Sequence, residues 1–229
     1  VVVTADMHRH GDVKAPGRTR LPAAERRETI LRAAAEVFAQ AGYRAGKVSD
    51  VAARVGVTEP VIFQNFGSKA ALFAAVLTRA AAEVRASLDD LAADFGSASG
   101  LLAHLLSPSA HGQTGHGTAD SAARHADAEH GAAYGVLFAD AAALAADPEL
   151  AEPAREAFRA VAAHLADLVR RAQADGSAHP DADPDAAAWL LLSVRSARRL
   201  RAAAMPADLE PTVATLALRA LAPPPAAPG

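Results

Sequence analysis

Two short helical patterns crowded around one glycine constrain this chain more than any other feature. Between Val48 and Lys69 it reads VSDVAARVGVTEPVIFQNFGSK. Val48, Val51, Ala52 and Val55 recur at helical spacing, and Gly56 takes a positive φ at little cost, so the first helix is expected to stop there. Thr58 is a good N-cap type, and Pro60 is tolerated in a first turn, where backbone N–H groups have no partner inside the helix. Ile62 and Phe66 lie four apart on one face and leave Glu59, Val61, Phe63 and Gln64 largely outside it. A helix, a glycine turn and a second helix form the arrangement that lays its second helix in the major groove of DNA, although small helical bundles offer similar pairs.

The flanks narrow the choice. From Ile30 to Leu77 the order of features is Ala33-Ala34 and Phe38 in a first helix, Gly42-Tyr43 after it, Asp50-Val51-Ala52, Gly56-Val57, then Phe66 and Ser68-Lys69 opening another helix. This run, roughly a fifth of the chain, resembles the N-terminal domain of TetR/AcrR-family transcriptional regulators. The resemblance implies an all-α protein: a three-helix helix-turn-helix DNA-binding domain at 21–68 and a helical ligand-binding and dimerisation domain at 69–221. It implies a homodimer on a double-stranded DNA operator, released by a small-molecule effector, and so most often a repressor. The residues placed against DNA are Arg44, Lys47, Ser49, Thr58, Glu59, Pro60, Val61, Phe63, Gln64, Asn65 and Lys69. Departures from the family pattern matter here. Gly46 and Lys47 stand where threonine and a serine or threonine are usual, which weakens a cap and adds a cation. Val61, Phe63 and Asn65 replace residues that are often threonine, tyrosine and histidine, so two hydroxyl donors are absent. Gln64 is left as the main base reader, Glu59 either accepts from a cytosine amino group or is repelled, and Lys69 keeps its charge beside a helix N-terminus.

Charge is distributed as expected of a nucleic-acid-binding head on an acidic body, a pattern that chance variation in surface charge also produces. The net charge is −3, yet through residue 70 eleven Lys or Arg stand against seven Asp or Glu, and afterwards twelve stand against nineteen. Arg26, Arg27, Arg44 and Lys47 flank the first two helices, where they are placed for phosphates or simply for solubility. Residues 1–20 carry His8, Arg9, His10, Lys14, Arg18 and Arg20 with little apolar periodicity and are expected to be a flexible basic arm. The absence of cysteine excludes disulfides, thiolate zinc sites and a cysteine nucleophile, and fits a reducing cytoplasm. Val1 to Val3 is too short an apolar run for a signal peptide or membrane span, so no membrane partner is expected.

The remaining chain reads as alanine-rich helices. Pro22 to Ala41 carries the stripe Ile30, Ala34, Val37, Phe38 and Ala41, ended by Gly42. A long helix follows Lys69 as far as Phe95, and a short one spans Leu101 to Leu106. Ala132 to Ala145 reads as a buried helix. Pro153 to Ala174 sets Phe158, Val161, Leu165 and Leu168 at spacings of three and four, and Asp175-Gly176 stops it. His179 to Asp185 caps a helix carrying Trp189, Leu190, Leu191, Leu192 and Val194, with Arg195, Arg198, Arg199 and Arg201 at its far end. The resemblance suggests that these two late helices, through Phe158, Val161, Leu165, Leu168, Trp189, Leu191 and Val194, pair with their copies in a second subunit. Periodicity alone is equally satisfied if both stripes face their own core. A last helix is expected around Leu209 to Leu221, then a disordered tail at 222–229.

Helices between Ala71 and Ala145 are expected to enclose an apolar pocket for a hydrophobic effector, with Phe95, Leu101, Leu105 and Phe138 as lining and His104 or Tyr134 fixing orientation. His104, His111, His116, His125 and His130 cluster around the loop Ser107 to Ala119, but without tight zinc spacing no metal or cofactor is assigned. No phosphate loop, nucleophile elbow or His-Glu-x-x-His pattern marks an enzyme. Two other classes remain open: an all-α interaction module without operator binding, which would show no salt-dependent affinity for any duplex, and an enzyme on this scaffold, which would show turnover.

Overall fold

In the computed structural model of the chain, residues 22–95, 97–106, 135–144 and 146–223 are described, apart from the side chain of Arg199. The expected arm at 1–20, Tyr134, the histidine loop and residues 224–229 of the tail fall outside them. Among the described residues every regular element is helical. Ten helices follow in order: α1 (Ala23–Ala45), α2 (Val48–Val55), α3 (Glu59–Phe66), α4 (Lys69–Phe95), α5 (Ala98–Leu106), α6 (135–143), α7 (Ala151–Ala174), α8 (Pro184–Ser196), α9 (Arg198–Ala204) and α10 (Glu210–Leu221).

The first three helices close over one apolar centre. Ile30, Ala34, Val37 and Phe38 of α1, Val51 and Ala52 of α2, and Ile62 and Phe66 of α3 are all buried, as their spacing requires. Phe38 meets Phe73 of α4 edge to face at 5.2 Å, and Tyr43 lies 4.8 Å from the same ring. Pro22 occupies the N-cap of α1 rather than its first helical position. Gly42 ends the regular stretch of α1, as expected. It breaks the helix at φ 76°, ψ 167°, a conformation open to glycine, and one further turn runs to Ala45. Gly46 then follows with no room for a side chain: a Cβ would lie 2.8 Å from both the Gly42 carbonyl oxygen and the Phe38 ring. The missing threonine at this position therefore has a steric reason in this fold.

The second body is built on α4. Ser68 Oγ accepts the Ala71 N–H at 3.0 Å and caps this helix. Arg79 ties it back to α1 by pairing with Glu28, while holding Glu83 one turn on at 2.6 Å. α4 packs along α7, and α7 along α8. The helix expected at Ala132 to Ala145 buries only one side, through Leu137 and Ala141, with Leu144 buried just beyond its end. Asp183 caps α8 as expected, Oδ1 accepting the Ala186 N–H at 2.8 Å. The run of arginines does not sit on one helix end: the chain breaks at Ala197, and Arg201 in α9 makes a two-pronged bridge to Glu210 at the start of α10, both contacts at 2.8 Å.

Candidate nucleic-acid interface

The turn between α2 and α3 is set by Gly56, which takes φ 74°, ψ 35° and lets the Val57 N–H reach back to the Ala52 carbonyl at 3.0 Å. α3 then starts with Thr58 at its N-cap and Pro60 in its first turn. The Thr58 hydroxyl makes no capping bond, so the type was right and the hydrogen bond is not made. Lys47 likewise occupies the N-cap of α2 without a side-chain cap, which leaves its ammonium outward. With Ile62 only 1% exposed and Phe66 buried, α3 is locked in rotation, and Glu59, Phe63 and Gln64 stand in solvent. Phe63, at 40% exposure, is a large apolar side chain on an otherwise polar surface. Val61 is half-buried beside them.

Asn65 is not part of that face. Its side-chain amide donates to the Val61 carbonyl one turn back at 2.6 Å, and its own carbonyl accepts from Arg27 at 2.5 Å. The Arg27 guanidinium also lies 4.1 Å over the Phe66 ring. Arg27 thus fastens the end of α3 to α1, a structural use that its position beside Arg26 did not announce. Arg44 and Lys47 are exposed and Ser49 is half-buried around the start of α2. Lys69 is held more tightly than a free phosphate ligand. Its Nζ donates to the Arg44 carbonyl at 3.2 Å and sits 4.8 Å from the Tyr43 ring, and desolvation lowers its pKa below the usual lysine value. Arg44, Lys47, Thr58, Glu59, Pro60, Phe63 and Gln64 together form the exposed set on this head, with Val61, Ser49 and Lys69 at its edge.

Of the residues expected at the effector pocket Tyr134 lies outside the described residues, and the others divide between core and surface. Leu101 is fully buried in the packing of the second body, so it fills core rather than lining a cavity. Phe95 is exposed and stacks on His104 at 4.7 Å, where burial and then Arg195 push the imidazole pKa down. Leu105 is partly buried, its carbonyl accepting from Arg195 at 3.2 Å, and Phe138 lies 5.3 Å from Phe158 on α7. Two clefts of about 400 and 390 Å³ lie elsewhere, one between α1 and α6 and one lined by Arg155, Phe158, Arg159 and Trp189. The expected dimer stripe needs a correction. Val161, Leu165, Leu168 and Leu191 are buried within their own chain, because α7 is covered by α4 on one side and α8 on another. Phe158 and Val194 are partly buried, and Trp189 is 46% exposed with Leu190 beside it. Among the described residues no group of three or more His, Asp or Glu is arranged to hold a metal, and no single helix is long and apolar enough to cross a membrane.

Residues 30–76 match the family described as bacterial regulatory proteins, tetR family. Over 60 residues the chain is 50% identical to the HTH-type transcriptional activator FasR of Mycolicibacterium smegmatis, covering 26% of this chain and 27% of that protein. Over 72 residues it is 35% identical to an uncharacterized HTH-type transcriptional regulator, YdgC, of Bacillus subtilis, covering 31% and 37%. The matches thus span between a quarter and two fifths of the length of these relatives, whose names are those of regulators and not of enzymes. The whole fold is similar to that of a TetR-family transcriptional regulator from Cytophaga hutchinsonii, with a TM-score of 0.69 at 18% identity over 89% of this chain and 98% of that one. The likeness to the tetR family of bacterial regulatory proteins thus lies in the head, residues 30–76, and beyond the head the chain shares the fold of the solved structure.

Proposed function

We propose that the protein is a cytoplasmic, one-component transcriptional regulator that binds an inverted-repeat operator as a two-fold dimer. The observation that carries this reading is α3: a helix locked by Ile62 and Phe66 that leaves Glu59, Phe63 and Gln64 projecting from the basic part of the chain. On this reading Gln64 reads a base edge, Phe63 packs on sugars, and Arg44, Lys47 and Lys69 hold phosphates. Trp189, Leu190 and Phe158 supply the outward apolar surface for the second subunit, in place of the leucines that the chain's own core consumes. The second body takes a small hydrophobic effector, whose preference for the DNA-incompetent conformation releases the operator; a thirtyfold effect needs about 2 kcal/mol.

Two signs of regulation follow from one head. Release by an effector describes a repressor, whereas the relative sharing half of its residues over this head is called an activator. Selection of bound fragments from random duplex DNA tests the reading: an inverted repeat, bound with an affinity that falls as salt rises, is the expected result. Recovery of no preferred sequence and no salt-dependent binding would overturn it. Placement of the recovered site over or upstream of a promoter then separates repressor from activator.

A further inference from the structure

The break in α1 does more than bend the helix. At Gly42 the backbone leaves helical geometry, and the ladder resumes only when the Gly46 N–H donates to the Gly42 carbonyl at 2.9 Å. A break of this kind turns a backbone N–H away from its helical acceptor, and a half-buried N–H must find another. The Tyr43 N–H finds the Asp140 carboxylate, brought by α6 from 97 residues away. The approach is close enough that a Cβ at Gly42 would lie 3.1 Å from the same carboxylate oxygen. Beside this bond the joint is poorly filled: the cleft of about 400 Å³ runs between α1 and α6, lined by Ala41, Arg44 and Ala45 on one side and Ala143 and Leu144 on the other.

What Asp140 holds is the hub of the basic face. The Tyr43 ring packs on Phe73 and under the Lys69 ammonium, and Lys69 in turn grips the carbonyl of Arg44. We infer that Asp140 is a positioning residue for duplex binding, fixing the last turn of α1, and with it Arg44 and Lys69, against the second body. This role rests on the DNA-binding reading above. It also carries an internal contrast, because a carboxylate near phosphates is unfavourable by charge and favourable only through the bond it makes. Burial raises the Tyr43 phenol pKa, and the charges of Asp147 and Glu149 raise it further.

The test separates bond from charge in the full chain. Asp140→Asn keeps a carbonyl acceptor and loses the charge; Asp140→Ala loses both; Gly42→Ala keeps the carboxylate but strains the positive-φ break that turns the Tyr43 N–H toward it. Binding is titrated on the selected duplex at several salt concentrations, and exchange of the Tyr43 amide is followed by NMR without DNA. Asp140→Ala and Gly42→Ala are expected to weaken binding by about fivefold or more and to speed Tyr43 exchange, whereas Asp140→Asn stays within about twofold of the parent or binds tighter. Equal effects of Asn and Ala would make charge the cause and overturn the role. So would wild-type affinity in Asp140→Ala with Tyr43 exchanging faster. If Asp140→Ala fails to fold, Asp140→Leu, of similar size and without an acceptor, and Asp140→Asn decide by the same criteria. A parent chain that binds no duplex overturns the DNA reading and this role together, whereas parent binding with an unaffected Asp140→Ala overturns the role alone.

Discussion

The head formed by α1 to α3 and the body formed by α4 to α10 are both helical and both apolar inside, yet they answered to sequence reasoning very differently. In the head α2 and α3 are short and each of the three helices carries one narrow apolar stripe, so Ile30, Phe38, Val51, Ile62 and Phe66 pack together on one centre. In the body the two long helices, α4 and α7, are rich in alanine. α7 buries Ala154, Ala157, Ala162, Ala166 and Ala172 along with Val161, Leu165, Leu168 and Val169, a band far wider than one seam. Small side chains let a neighbour pack on almost any side of such a helix, so a stripe of leucines there does not name its partner.

That contrast can be broken most severely in the head. Phe38→Ala removes a fully buried ring at the meeting point of Tyr43 and Phe73, and is expected to cost about 3 to 5 kcal/mol in denaturant unfolding, with loss of duplex binding. An effect below 1 kcal/mol would mean that the head's core is looser than its burial implies. In the body, Trp189→Glu places a charge on the most exposed aromatic of α8 and is expected to weaken self-association by about 2 kcal/mol or more. Light scattering at micromolar concentration reads it directly; an unchanged dimer moves the interface elsewhere.

Smaller effects sharpen the reading of α3. Gln64→Ala is expected to cost roughly 1 to 3 kcal/mol on the preferred duplex and little on a scrambled one, while Lys69→Ala weakens all duplexes alike and lowers the salt slope by about one per subunit. Because Lys69 also ties α4 to the end of α1, its removal should lower the unfolding midpoint, which Gln64→Ala should not. Equal loss on both duplexes for Gln64→Ala would show that it reads no base. The smallest effect lies at the α9–α10 joint. Arg201 holds the Glu210 carboxyl below the usual carboxylate range, chiefly by hydrogen bonding, so the folded pKa is lower than the unfolded one. The bridge therefore contributes fully above the ordinary carboxylate range and is lost as pH falls through the lower folded value. Arg201→Ala is expected to reduce stability by about 1 kcal/mol at neutral pH, and by nothing once acid has protonated Glu210.

The sequence by itself determined what depends on a few neighbouring residues: the turn at Gly56, the start of α3 after Thr58, the cap by Asp183 and the stop of α7 at Asp175-Gly176. These are local because each is a backbone conformation or a bond spanning three or four positions. Gly42 shows the boundary of such reasoning, since its freedom was legible and its consequence, a Tyr43 N–H turned toward Asp140, was not. Tertiary structure alone decided that Arg27 leaves the phosphate face to lie on Phe66 and that Arg201 meets Glu210. It also decided that Leu165 and Leu168 serve their own chain while Trp189 looks outward. The physical reason is the same in each case: helical periodicity gives the angle of a side chain about its own axis, whereas its partner depends on how two axes pack, and that is set by the whole core at once.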